Sequence, residues 1–129
     1  MAQRNNPEPT QRMLRVGEEI RHIVAEVLRE GSFDDEALYE IAHSINVTQV
    51  TVSPDLKYAT AYVLGLGGAD LTDVLPALND HAHEFQQAVN RGLKMKFTPK
   101  IQFKQDDTYE RVGRIEQILH QISSSAKTD

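Results

Sequence analysis

VTVSPDLKYATAYVL, residues 50–64, is the stretch that decides how this chain folds. Val50 and Val52 flank Thr51 and lead into Ser53-Pro54-Asp55. There proline presets φ, and the serine and aspartate oxygens are placed to bond nearby amides, so the chain turns. Lys57 to Leu64 returns as a second strand with two unlike faces. Ala59, Ala61 and Val63 are small and admit a helix, whereas Tyr58, Thr60 and Tyr62 line the other side. Upstream, Ile45 and Val47 run one residue out of phase with Val50 and Val52, as a bulge in the first strand would produce.

Helical patterns lie on both sides of this hairpin. Met13, Val16, Ile20, Ile23, Val24 and Val27 recur at three- and four-residue steps, which predicts a helix over about residues 12–30, stopped by Gly31 and Ser32. The acidic stretch 33–42 suggests a loose helical turn. Gly65-Leu66-Gly67-Gly68 reads as a loop. The next helix is expected to start from Thr72 or Asp73 as N-cap, with Pro76 near its first turn. Leu75, Leu78, Ala82, Phe85 and Val89 form its apolar stripe, and Gly92 is its stop. Leu93, Met95, Phe97, Ile101 and Phe103 then alternate with Lys94, Lys96, Thr98, Lys100, Gln102 and Lys104. That alternation predicts a third strand, half-buried, with a basic outer face and an unpaired side or break at Pro99. Asp107 and Glu110 resemble a capping box, and Val112, Ile115, Leu119 and Ile122 give a last amphipathic helix. The order is α-β-β-α-β-α. The fold class is therefore α+β, a three-stranded sheet with helices on one face and the other face open. A helical connection between the second and third strands suits a parallel pair.

A chain of 129 residues has room for one core, placed at residues 11–122, with polar tails at 1–10 and 123–129 expected to be flexible. The first ten residues hold no apolar segment of the secretory kind, and no apolar run is long enough to span a membrane. The absence of cysteine excludes disulfides, thiolate metal sites and cysteine nucleophiles. These features predict a soluble, cytoplasmic protein, expected to be monomeric and without a cofactor. The net charge of −5 is unevenly spread. Between Gly31 and Leu56 lie Asp34, Asp35, Glu36, Glu40 and Asp55 with no lysine or arginine, while Arg91, Lys94, Lys96, Lys100 and Lys104 follow one another with no acid between them. One surface can thus be basic although the whole is acidic.

The order of elements and several local strings resemble the ribosome-binding factor A family. The matching residues are Val50-x-Val52-Ser53-Pro54-Asp55-Leu56-Lys57-Tyr58-Ala59-Thr60-Ala61-Tyr62-Val63, then Leu93-x-Met95-x-Phe97-x-Pro99-x-Ile101-x-Phe103, then Asp106-Asp107. With the first helix, the resemblance covers about residues 12–122. It implies a type II K-homology domain that binds the small ribosomal subunit and its rRNA, aids late maturation and rRNA processing, supports growth in the cold, and performs no catalysis. Other assembly factors are further partners it suggests. Two departures stand out. Family members typically break the long helix at an alanine-x-glycine kink, where this chain has His81-Ala82-His83. With no glycine and an unbroken apolar stripe, the helix is expected to run straight through. Where an arginine often follows, this chain has Gln86 and Gln87.

Few residues stand out for their chemistry. Arg91, Lys94, Lys96, Lys100 and Lys104 are the RNA-binding candidates, because a strand sets donors for phosphate at every second residue. Lysine on an exposed strand also blocks edge-to-edge aggregation, so the pattern has a structural explanation as well. Tyr58 and Tyr62 could stack bases or merely cover sheet surface. Gly65-x-x-Gly68 has the letters of a K-homology clamp but joins strand to helix rather than two helices, so it reads as a connecting turn. His81 and His83, two apart on a helix, should point about 200° away from each other and share no metal, leaving both in solvent. His22, His43 and His120 are isolated, Asp106-Asp107 reads as a helix cap, and no nucleophile or phosphate-loop motif occurs. The rival to an RNA-binding factor is a protein-interaction module of the same fold, acting through the acidic Asp34 to Glu40 region or the open sheet face.

Overall fold

The computed structural model describes residues 8–31 and 33–107. The expected last helix and C-terminal tail, and most of the N-terminal tail, lie outside the described residues.

Helix α1, Gln11–Glu30, begins at Thr10, whose hydroxyl accepts from the Met13 amide at 3.1 Å. It ends at Gly31, which takes φ 65° and donates its N–H to the Val27 carbonyl. The acidic stretch forms α2, Glu36–Ile41, capped by the Asp35 carboxylate on the Leu38 amide at 3.1 Å. Strands β1, Ile45–Val52, and β2, Tyr58–Gly65, pair antiparallel, and their register slips between Val47 and Gln49, at the expected bulge. The turn between them is held by its own side chains: Ser53 Oγ donates to Asp55 at 2.6 Å, and the Lys57 and Tyr58 amides donate to Asp55 and Ser53 at 3.0 Å. Those bonds to the ionised carboxylate, the Ser53 hydroxyl first, lower the Asp55 pKa.

Helices α3, Leu75–Asp80, and α4, Ala82–Leu93, carry the chain to β3, Lys100–Gln105, which pairs parallel with β2. The sheet order is β1-β2-β3. Ala59, Ala61 and Val63 face the helices and are fully buried, so α1 packs on β1 while α3 and α4 pack on β3. Phe85 and Phe103 meet edge to face in this core, their centroids 4.7 Å apart, and Phe33 stacks on Phe85 at 5.6 Å.

Four expectations are corrected. The long helix is not straight: it stops at Asp80 and restarts at Ala82. His81, at φ −99° and ψ 14°, shares its N–H between the Ala77 and Leu78 carbonyls and accepts from the Glu84 amide. Because φ stays negative, this break needs no glycine. Second, α3 starts at Leu75 from Val74 without a side-chain cap, while Asp70 caps the preceding turn by accepting from the amide and hydroxyl of Thr72. Third, Gly92 does not end α4. Lys94 does, at φ 52° and ψ 41°, and Gly92 instead permits close contact, since a Cβ there would lie 2.7 Å from Ile23 Cδ1. Fourth, the third strand is half as long as the alternation predicts and begins only after Pro99. Residues 94–99 are a connector beside which Leu93 and Met95 pack on the core, while Phe97 is 66% exposed. Alternation here reflects a loop laid on a core, a pattern that strands share.

Gly17 sets how near α1 comes to the sheet. A Cβ at this position would lie 2.6 Å from the Val50 carbonyl oxygen, which is backbone and cannot turn aside. Gly17→Ala is therefore expected to destabilise the fold by about 1–2 kcal/mol despite alanine's better helix propensity, read as a lower unfolding midpoint. A midpoint at or above the parent's would mean that α1 slides without cost.

Candidate RNA interface

The five basic candidates fall into two groups. Arg91 lies in the last turn of α4, Lys94 is the left-handed residue that ends it, and Lys96 follows in the connector with its Nζ 5.6 Å from the Phe97 ring centroid. Positive charge at a helix C-terminus also offsets the helix dipole, so Arg91 and Lys94 serve the fold locally. Lys100 and Lys104 stand apart from these, on the exposed side of β3. The expected single row of lysines along one strand is thus corrected: β3 holds two of them, and the helix end and connector hold the rest. All five are exposed, and among the described residues none enters an ion pair.

Register places Lys100 and Lys104 beside the two tyrosines. Tyr58 pairs with Lys100, Thr60 with Gln102 and Tyr62 with Lys104; on the other side of β2, Thr51 pairs with Thr60 and Gln49 with Tyr62. None of the three strands contains an aspartate or glutamate. Asp106, just past β3, accepts from the Thr48 hydroxyl at the bulge. The acidic residues Asp34, Glu36 and Glu40 are exposed on and beside α2, together with Tyr39.

β3 is held on its outer edge by side chains to which sequence reasoning gave no such role. Asn79 accepts from the Phe103 amide at 2.8 Å and donates to the Phe103 carbonyl at 3.2 Å. Gln86, one of the glutamines standing where an arginine is frequent, accepts from the Ile101 amide at 3.0 Å. The signal was their spacing: two amide side chains, seven residues apart, flanking an apolar stripe.

His81 and His83 also differ from expectation. The break in the helix brings their rings to 6.3 Å, and His81 is not in solvent: its side chain is 18% exposed, edge-on to Phe33 at 5.9 Å and 3.1 Å from Glu84. Among the described residues no group of three or more candidate ligands forms a metal site. Gly65 and Gly68 bound a short 3-10 turn between strand and helix, as a connector would. Among the described residues no helix is long and apolar enough to cross a membrane.

Comparison with known proteins adds four matches. The sequence model of the family described as Ribosome-binding factor A matches residues 12–119. Ribosome-binding factor A of Methylorubrum extorquens strain PA1 is 46% identical over 120 residues, 92% of this chain and 81% of that protein. Among solved structures, the crystal structure of ribosome-binding factor A from Thermus thermophilus superposes with a TM-score of 0.58 at 18% identity, covering 72% of this chain and 94% of that one. A homology model of the Thermus thermophilus factor, fitted into the cryo-EM map of its complex with the 30S subunit, gives 0.56 at 18% identity, with 73% and 94% covered. The K-homology-like fold is shared with these structures.

Proposed function

Because this chain belongs to the ribosome-binding factor A family, we propose that it is an assembly factor of the small ribosomal subunit, binding the immature particle and its rRNA during late maturation. The observation that carries this reading is the family match over nearly the whole described domain, joined to five exposed basic side chains that enter no ion pair among the described residues, on an otherwise acidic protein. Its chemistry is binding alone, without catalysis or cofactor. It acts as a cytoplasmic monomer. Phosphate contact supplies affinity, and the acidic side around α2 keeps the protein from holding RNA everywhere.

In sucrose gradients the protein is expected to travel with immature small subunits rather than with mature ribosomes. Sedimentation only as free protein would overturn the proposal. Lys94, Lys96, Lys100 and Lys104 all replaced by glutamate should weaken binding to small-subunit RNA fragments regardless of sequence. The slope of log K against log salt should flatten by roughly 0.7–0.9 for each phosphate no longer neutralised. Neutralising Asp34 and Glu36 should not weaken it. A folded lysine variant with unchanged affinity and slope would move the interface elsewhere on the domain.

A further inference from the structure

The face of the sheet turned away from the helices has a composition that packing does not require. Tyr58, Thr60 and Tyr62 run along its centre, Gln49 and Thr51 along one side, and Lys100, Gln102 and Lys104 along the other. Tyr58 is 57% exposed, and Thr51, Gln49, Lys100, Gln102 and Lys104 are exposed as well. Two facts separate this face from an ordinary solvated one. A tyrosine beside a lysine on a neighbouring strand can stack beneath the ammonium group, which stabilises the sheet. Here, among the described residues, the cation over a ring is Lys96 over Phe97, and neither Tyr58 nor Tyr62 has a cation or a second ring against it. Among the described residues, then, no cation and no second ring covers either tyrosine, of which Tyr58 is exposed and Tyr62 half-buried, and exposed lysines stand opposite both in the register. The remaining side chains are hydroxyls and amides, which both donate and accept and so match the mixed edges of nucleobases.

We propose that the open face of β1, β2 and β3 is a stacking platform for single-stranded RNA, with Tyr58 and Tyr62 each taking a base and Lys100 and Lys104 each holding a phosphate. The proposal rests on the RNA-binding reading above and gives it a second, base-contacting surface distinct from the helix end at Arg91, Lys94 and Lys96. Charge fixes the occupant: the three strands offer two cations and no acid, which suits a polyanion and disfavours a basic peptide, while the two tyrosines favour bases over an acidic one. Ring geometry fixes the strandedness. Residues four apart on a strand are about 13 Å apart, too far to sandwich neighbouring stacked bases, so the two rings serve two non-adjacent bases of an extended strand. A duplex keeps its bases stacked on each other and presents no free base face to either ring.

The test uses the full chain, a uridine oligonucleotide of about ten nucleotides and an RNA duplex of the same length, with intrinsic tyrosine fluorescence and competition binding as readouts. Single-stranded RNA should quench tyrosine emission. Tyr58→Ala and Tyr62→Ala should each weaken its binding by about 5- to 100-fold and leave the salt slope unchanged, whereas the corresponding phenylalanine variants should bind as the parent does. Lys100→Glu should flatten the slope instead. Duplex binding should not respond to either alanine change. Alanine variants that unfold like the parent and bind the oligonucleotide equally well would overturn the platform, as would a parent chain that ignores the oligonucleotide. In both cases sedimentation with immature subunits reports separately on the assembly-factor reading, which does not need this face.

Discussion

Phe103→Ala is expected to cost the fold about 3–5 kcal/mol, the range for removing a large aromatic side chain from a packed core. Phe103 is 2% exposed, lies edge-on to Phe85, and belongs to the strand that completes the sheet. A loss of this size is a large part of the stability of a domain this small. Phe97 provides the control. It stands at the same parity in the alternating pattern, yet it is 66% exposed, so Phe97→Ala should change stability by no more than about 0.5 kcal/mol. Denaturant titrations of both variants decide the matter. Equal losses at the two positions would restore the long strand and contradict the connector at 94–99.

Asn79→Leu is the second large expectation. Leucine fills nearly the same space but can neither accept from the Phe103 amide nor donate to its carbonyl, so two backbone groups beside a buried residue are left without that partner. About 2–3 kcal/mol of stability should go with them. Amide hydrogen exchange at Phe103 should speed up before the rest of β3 opens, and Gln86→Leu should do the same at Ile101. Exchange at Phe103 that is as slow as in the parent would show that the edge does not depend on Asn79.

Much of this architecture could be read from residues alone. The Ser53-Pro54-Asp55 turn, the small face of β2, the bulge in β1 and the span of α1 each follow from local chemistry, and the structure bears them out. Local pattern misled wherever tertiary contact overrides it. The apolar stripe runs past His81 without a change of phase, but the residue sits off helical geometry, in contact with Glu84 and with Phe33, and neither contact is visible as a period. Likewise Leu93 and Met95 alternate because they touch a core, and Phe97 continues the alternation without touching it. The basic candidates were legible as a run of charge. Their division between a helix end and a sheet face was not, because it depends on where β3 begins. Gln86 read as a missing cation, and its carbonyl proves to hold an edge of the sheet.

The parallel pairing of β2 with β3 bears on how the chain assembles. β1 and β2 meet across a turn of a few residues and can close almost as soon as both exist, with α1 already available to cover them. Tyr58 finds Lys100 only after the whole of α3 and α4 has intervened. Closing that long loop costs entropy before any ladder bond is made, so docking of β3 is expected to be the slow, late step of folding. During synthesis the hairpin and α1 leave the ribosome first, and the lysines of β3 join the tyrosines of β2 last. The mixed face of the sheet therefore does not exist until β3 has been made and has docked on β2.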